Sequence, residues 1–281
     1  MAVPHLTPVA ADELIYERQQ LPEIRSNYGG HLNHCSVGWL KKTPADTSLD
    51  EMRMSFEADG YLFIKGLVPR TEPEEGIFEA TQDPVVHNGV CGRDLPEDLE
   101  RQKLLKSAHT LPVYLDFLEH SDFRDFIRRL MGWDKDVILK RTLLRHTVPN
   151  GLSTGCHYDR ICLRAGEDFL IAWVPIGDCA ADEGGLMYLE GSTDIGVAMG
   201  EEYMERAEYL THEERIDLLN QNMARDEQLS HNVVELDANI KVKSSSSKRR
   251  QWLAADYEAR DVVFHNPYMI HGAVKDENPL G

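Results

Sequence analysis

No run of 18 or more apolar residues occurs in this 281-residue chain, so no membrane span is expected. The opening stretch, MAVPHLTPVAADELIYERQQ, lacks a basic n-region and an apolar h-region, and does not read as a secretory signal. Cysteine is sparse. Cys35, Cys91, Cys156, Cys162 and Cys179 are odd in number and show no C-x-x-C spacing. A disulfide framework or zinc ribbon is thereby disfavoured, and a reducing, cytoplasmic setting is expected. Positive charge is also in deficit: 30 Lys and Arg stand against 48 Asp and Glu, a formal net charge of −18. A field of that sign repels polyphosphate, so nucleic acid is not an expected partner. The one basic cluster, KVKSSSSKRR (241–250), is Ser-rich and reads as a solvated loop. There is no Gly-rich phosphate loop, no regular strand–helix alternation and no internal repeat, which argues against a doubly wound parallel sheet.

What is present is a chain of 42% apolar residues, enough for one large domain spanning 1–281. Residues 1–50 are polar and broken by Pro and Gly, and predict an irregular arm. Met52, Met54 and Phe56 predict a helix stopping near Gly60, followed by a strand in YLFIKGL. HTLPVYLDFLEHSDFRDFIRRLMGW (109–133) carries Leu115, Leu118, Phe123, Phe126, Ile127 and Leu130 at helical spacing and predicts an amphipathic helix pair. Strands are then expected in 136–148, in YDRICLR, in 168–178 and in 184–193. A charged helical insert is expected over 199–227, and further strands near 232–238 and 261–274. Helices first, then many short strands, suit a mainly-β sandwich or jelly roll with flanking helices.

One motif in that β-rich half carries chemistry. TGCHYDRICLR (154–164) places His157 and Asp159 two apart. On a strand, residues i and i+2 share a face, which would bring imidazole and carboxylate within about 7 Å. Tyr158 and Cys156 would point to the other side, Cys156 into the core. A third metal ligand is available in DVVFHNPYMIHGAV, which offers His265 and His271. Two His and one carboxylate on one face, with three positions open, form the facial triad of non-haem Fe(II) oxygenases. His146 and His231 have no such motif context.

FEADGYLFIKGLV, HYD, AWVPIGDCAADEGGLMYLEGST and RDVVFHNPYMIHG occur together and in order. In this the chain resembles the phytanoyl-CoA dioxygenase (PhyH-like) family of Fe(II)/2-oxoglutarate oxygenases, over roughly residues 51–274, and most resembles members that tailor natural products. The resemblance implies a double-stranded β-helix (cupin-like jelly roll). It also implies Fe(II) held by His157, Asp159 and His271, with 2-oxoglutarate and O2 as cosubstrates. Trp173 would be a wall of the 2-oxoglutarate pocket, and Thr154 and Thr193 polar contacts in it. The implied reaction is hydroxylation or desaturation of a C–H bond of a small molecule in secondary metabolism, with release of succinate and CO2. Related halogenases carry a small residue in place of the carboxylate, so Asp159 argues against that outcome. The family leaves room for a homodimer.

The sequence departs from the family twice. A helix that usually follows the LVPR stretch is replaced by TEPEEGIFEATQDP. The Arg that pairs with the far carboxylate of 2-oxoglutarate would fall just past Gly281, and a closing C-terminal strand is missing. Lys140, Arg141 and Arg145 are the substitute cations on offer. Two other classes therefore stay open at this point: a catalytically impaired binding subunit or pseudoenzyme, and a cupin-like metal hydrolase or isomerase.

Overall fold

The structure, a computed structural model, describes residues 21–26, 30–32, 34–44, 46–68, 112–139, 142–143, 154–161, 168–215 and 250–276. Lys140, Arg141, Arg145, Cys91, Cys162, His146, His231 and the strand expected at 232–238 lie outside them. Two four-stranded mixed sheets form the frame. The first contains β4 (Lys42–Thr43), β5 (Tyr61–Ile64), β9 (Val262–His265) and β6 (Ile171–Trp173), in that spatial order. The second contains β10 (His271–Ala273), β7 (Leu186–Leu189), β8 (Trp252–Ala254) and β3 (Val37–Trp39). A two-stranded ribbon joins β1 (Arg25–Ser26) to β2 (Gly30–His31). Pairing is antiparallel throughout except for β3 with β8 and β4 with β5.

The alternation in β9 sets the layers. Val262 and Phe264 face one side, where they pack with Met52, Leu62, Ile64, Phe123 and Leu130. Val263 faces the other side, with Tyr61, Phe63, Tyr188, Leu253 and Tyr257. Tyr61 of the first sheet stacks on Tyr188 of the second, with ring centroids 6.2 Å apart. The two sheets thus share one apolar interior, and helices cover the back of the first. All four residues of β9 are buried, as a strand covered on both faces must be.

Three helices form where the hydrophobic spacing predicts them. α1 (Leu49–Asp59) opens with a capping box between Ser48 and Glu51 and ends at Gly60, whose φ of 77° is left-handed. α2 (Pro112–Leu118) and α3 (Ser121–Met131) are the expected pair, with Phe117 stacked on Phe123 and Phe126 stacked on Phe264. Arg53 of α1 donates to the carbonyls of Arg129 and Leu130 at the end of α3 and so locks the two helices together. At the far end of β5, the Asp261 carboxylate accepts from Lys65 Nζ (2.7 Å), Gly66 N (2.9 Å) and Glu258 N (2.8 Å). That buried carboxylate ties β5 to the start of β9.

Four expectations are corrected. The first concerns residues 136–139 and 142–143, which are not in a strand. Arg124 and Arg128 of α3 hold the Asp136 carboxylate at 2.8 and 2.6 Å and draw the segment back onto the helix, leaving Val137 85% exposed. Residues 159–161, in the second, form a 3-10 turn instead of continuing a strand. The third is the arm before residue 50, which contributes β3 and β4, each paired in parallel to a strand distant in sequence. Lastly, the helical insert begins at Thr193, as α4 (Thr193–Glu208), not at 199. Its start was hidden because Thr193 and Asp194 read equally well as a turn after Gly191.

Replacing Gly60 with Ala should destabilise the fold by about 1–2 kcal/mol, because the left-handed backbone penalises a Cβ and Thr193 Oγ1 occupies its place. A urea unfolding midpoint unchanged from wild type would contradict that account.

Candidate metal centre

The paired edge of β10 builds the site. His157 N donates to His271 O at 2.8 Å, and His271 N donates to His157 O at 2.9 Å. Ala273 N donates to Thr154 O at 2.9 Å, so residues 154–157 run antiparallel beside β10. Paired residues project to the same face, and the two imidazole centroids stand 4.4 Å apart. Each ring has its Nδ1 against a backbone carbonyl: His157 against Gly155 O at 2.8 Å and His271 against Met269 O at 3.0 Å. A carbonyl can only accept, so Nδ1 carries the hydrogen and each Nε2 presents a lone pair to the centre.

Asp159 completes the group. Its carboxylate lies 3.5 Å from His157 Nε2 and 3.7 Å from His271 Nε2. One ligand atom from each of the three residues lies within 4.8 Å of the other two. The residues expected to converge do so, though not by strand alternation. The 3-10 turn of residues 159–161 swings the carboxylate in, and Arg160 fixes that turn. Arg160 N donates to Pro267 O at 2.8 Å, and Arg160 Nε donates to the Tyr268 hydroxyl at 3.2 Å. Its guanidinium also lies over the rings of Phe169 and Tyr268. Tyr268 is seated in turn against α4, where a Cβ on Gly196 would collide with the Tyr268 carbonyl. Ser192 Oγ accepts from Ile270 N at 2.9 Å and pins the residue before His271.

The electrostatics suit a cation. Burial pushes the His271 imidazole well below its usual range and keeps it neutral. Burial works to raise the Asp159 carboxyl, and a proton or cation shared with the nitrogens of His157, His271 and His265 pulls it below the usual carboxylate range. Two imidazoles and one carboxylate, all turned inward, are the donor set of a divalent transition metal.

The other expected residues are placed differently. Trp173 lies edge-on to Tyr257, with centroids 4.6 Å apart, on the inner face of β6. Thr154 lies beside Ala273, at the far end of the His157 segment. Thr193 stands against Gly60 rather than the triad, and its buried Oγ1 has no hydrogen-bond partner among the described residues. Cys156 packs in the core against Gly272, and burial pushes its thiol up to about 12, so it is neither ligand nor nucleophile. His265, the lesser candidate by motif, is outside the group of three whose ligand atoms lie within 4.8 Å of one another, but it lies beside the centre, its Nε2 3.9 Å from Asp159 Oδ2. The period-two alternation of DVVFH carried that signal, since Phe264 facing out requires His265 facing in.

Residues 56–278 match the family model described as phytanoyl-CoA dioxygenase (PhyH). No curated protein matches the chain. Among solved structures, the non-heme alpha ketoglutarate dependent carbocyclase SnoK from nogalamycin biosynthesis is 19% identical, with a TM-score of 0.47, covering 85% of this chain and 82% of that one. AviO1 from Streptomyces viridochromogenes Tue57 is 14% identical, with a TM-score of 0.44, covering 83% and 90%. EvdO2 from Micromonospora carbonacea var. aurantiaca, complexed with 2-oxoglutarate, is 13% identical, with a TM-score of 0.40, covering 86% of each chain.

Two outcomes follow from this geometry. Arg160→Ala should weaken Co(II) binding by about tenfold, and Tyr268→Phe by less, with little change in unfolding midpoint. Equal affinity in titrations of all three proteins would mean that the turn orients Asp159 without them. In the native protein at pH 8, iodoacetamide should label exposed Cys35 far faster than Cys156, as peptide mass mapping would read.

Proposed function

This chain belongs to the phytanoyl-CoA dioxygenase family, and from that premise we propose that it is an Fe(II)- and 2-oxoglutarate-dependent dioxygenase on a double-stranded β-helix. Its substrate is a small organic molecule whose unactivated C–H bond it oxidises, by hydroxylation or desaturation, in secondary metabolism. The observation that carries this reading is the convergence of the ligand atoms of His157, Asp159 and His271 within 4.8 Å of one another.

Those three residues would hold Fe(II) through two imidazole nitrogens and one carboxylate oxygen, a donor set that leaves room for a chelating cosubstrate. Iron bound there supplies the redox chemistry by which 2-oxoglutarate and O2 become succinate and CO2 while the substrate is oxidised. The chain's own residues do the rest. The carbonyls of Gly155 and Met269 fix the tautomers of His157 and His271. The Arg160–Tyr268 contact fixes the direction of the carboxylate. Burial of Asp159 and His271 keeps water from the donors. Trp173, Thr154 and Thr193 would line the 2-oxoglutarate pocket; the Thr193 hydroxyl is buried with no hydrogen-bond partner among the described residues. With a net charge of −18, a neutral or weakly charged substrate suits the chain better than a coenzyme A ester.

Anaerobic addition of Fe(II) and 2-oxoglutarate should produce a weak visible charge-transfer band. Ala in place of His157, Asp159 or His271 should abolish the band and reduce succinate formation about a hundredfold or more. A protein that binds iron yet shows no band on addition of 2-oxoglutarate would sink the oxygenase reading. Turnover without O2 would instead identify a metal hydrolase or isomerase.

A further inference from the structure

The inner cluster between the sheets holds three tyrosines, Tyr61, Tyr188 and Tyr257. The backbone satisfies two of their hydroxyls. That of Tyr61 accepts from Lys41 N at 3.1 Å, and that of Tyr257 donates to Leu186 O at 2.7 Å. The Tyr188 hydroxyl is buried and has no hydrogen-bond partner among the described residues. The side chain is 0% exposed, so bulk water does not serve in place of one. Packing does not require the group: Phe would fill the same space, and an unpaired buried hydroxyl destabilises a fold. Tyr188 stands directly opposite His271 in the register of β7 and β10, so the two side chains rise from one face. Its ring centroid is 5.7 Å from that of His271 and 5.3 Å from that of His265. The cluster it belongs to is also the one against which Trp173 packs, the expected wall of the cosubstrate pocket.

We propose that the Tyr188 hydroxyl donates a hydrogen bond to the carboxylate of 2-oxoglutarate that does not touch the metal, and so selects a dicarboxylate over a simple 2-oxo acid. The inference rests on the cosubstrate reading given above. The 2-oxo acid end of such a chelator is satisfied by the metal. Its second carboxylate is left in an interior lined largely by apolar and aromatic side chains, where it needs a donor. Tyr188 supplies one beside the triad. Its O–H is already stripped of water and bound to no other group among the described residues, so no hydrogen bond within the protein is given up when the ligand arrives. The ring is held in place by Tyr61, stacked on it at 6.2 Å, and by the two imidazoles. A 2-oxo acid with a single carboxylate would chelate equally well and leave the hydroxyl unpaired.

Tyr188→Phe keeps the ring and removes only the hydroxyl. Without cosubstrate, the urea unfolding midpoint of the variant should equal or exceed that of the wild type. A lower midpoint would show that the hydroxyl has a structural partner, and would overturn the proposal. Co(II) affinity should be the same in the two proteins; a fall in the variant would make the hydroxyl a support of the metal ligands instead. With Fe(II) bound and O2 excluded, the charge-transfer band should need about tenfold more 2-oxoglutarate to saturate in the variant. The band formed with 2-oxobutyrate, which lacks the second carboxylate, should saturate alike in both proteins. An equal loss with both acids would put the hydrogen bond at the chelating end, and no loss with either would leave the hydroxyl outside the cosubstrate site. Either result overturns the proposal. A band in neither protein with either acid would overturn the oxygenase reading itself.

Discussion

Two backbone hydrogen bonds, His157 N to His271 O and His271 N to His157 O, are the constraint on which the candidate centre depends. They are what make residues so far apart in sequence into neighbours on one face. The bridge is brief, extended only by Ala273 N to Thr154 O. Alone it would fray. It persists because the other edge of β10 is paired in register with β7, His271 opposite Tyr188 and Ala273 opposite Leu186. The Tyr188 ring then packs against the rings of both His271 and His265. Sheet pairing places the backbone, and the aromatic layer between the sheets restricts the rings.

A second set of contacts holds the turn of residues 266–270, through which the chain passes from the first sheet to the second. Asn266 N donates to Gly60 O, and Ile270 N donates to Ser192 Oγ. Gly196 and Gly200 of α4 leave room for Tyr268, whose hydroxyl accepts from Arg160. The start of α4, the end of α1 and the turn bearing Asp159 therefore meet at one loop. Loops seldom place side chains well unless neighbouring elements hold them, and this one is held from three directions.

The contrast between what was legible and what was not follows from range. Gly60 as a helix stop, the α2–α3 pair and the convergence of His157 with Asp159 depend on residues within a few positions of one another. The route to that convergence was misread, since a 3-10 turn replaces the strand. What bends it is the contact of Arg160 with Pro267 and Tyr268, about a hundred residues on. Residues 136–143 alternate as a strand should, but Asp136 finds two arginines on α3 before the segment finds a sheet. β3 and β4 are two or three residues long and lie parallel to distant partners, so no local pattern announces them. His265 was ranked below His271 by motif, and the group that could hold a metal contains His271 and not His265.

The charge of the whole chain and the charge at the centre act over different distances. The −18 surface field is screened beyond about 8 Å at physiological ionic strength. Within the centre, a single carboxylate among the donors would leave a bound divalent metal with a net positive charge. A compact dianion such as 2-oxoglutarate meets the repulsive field only briefly and then a short-range attraction that is little screened. A long polyanion would have charges both at the centre and along the acidic exterior, and repulsion there would offset the gain within. The donor set therefore favours a small chelating anion as cosubstrate. A second carboxylate in the triad would remove that preference.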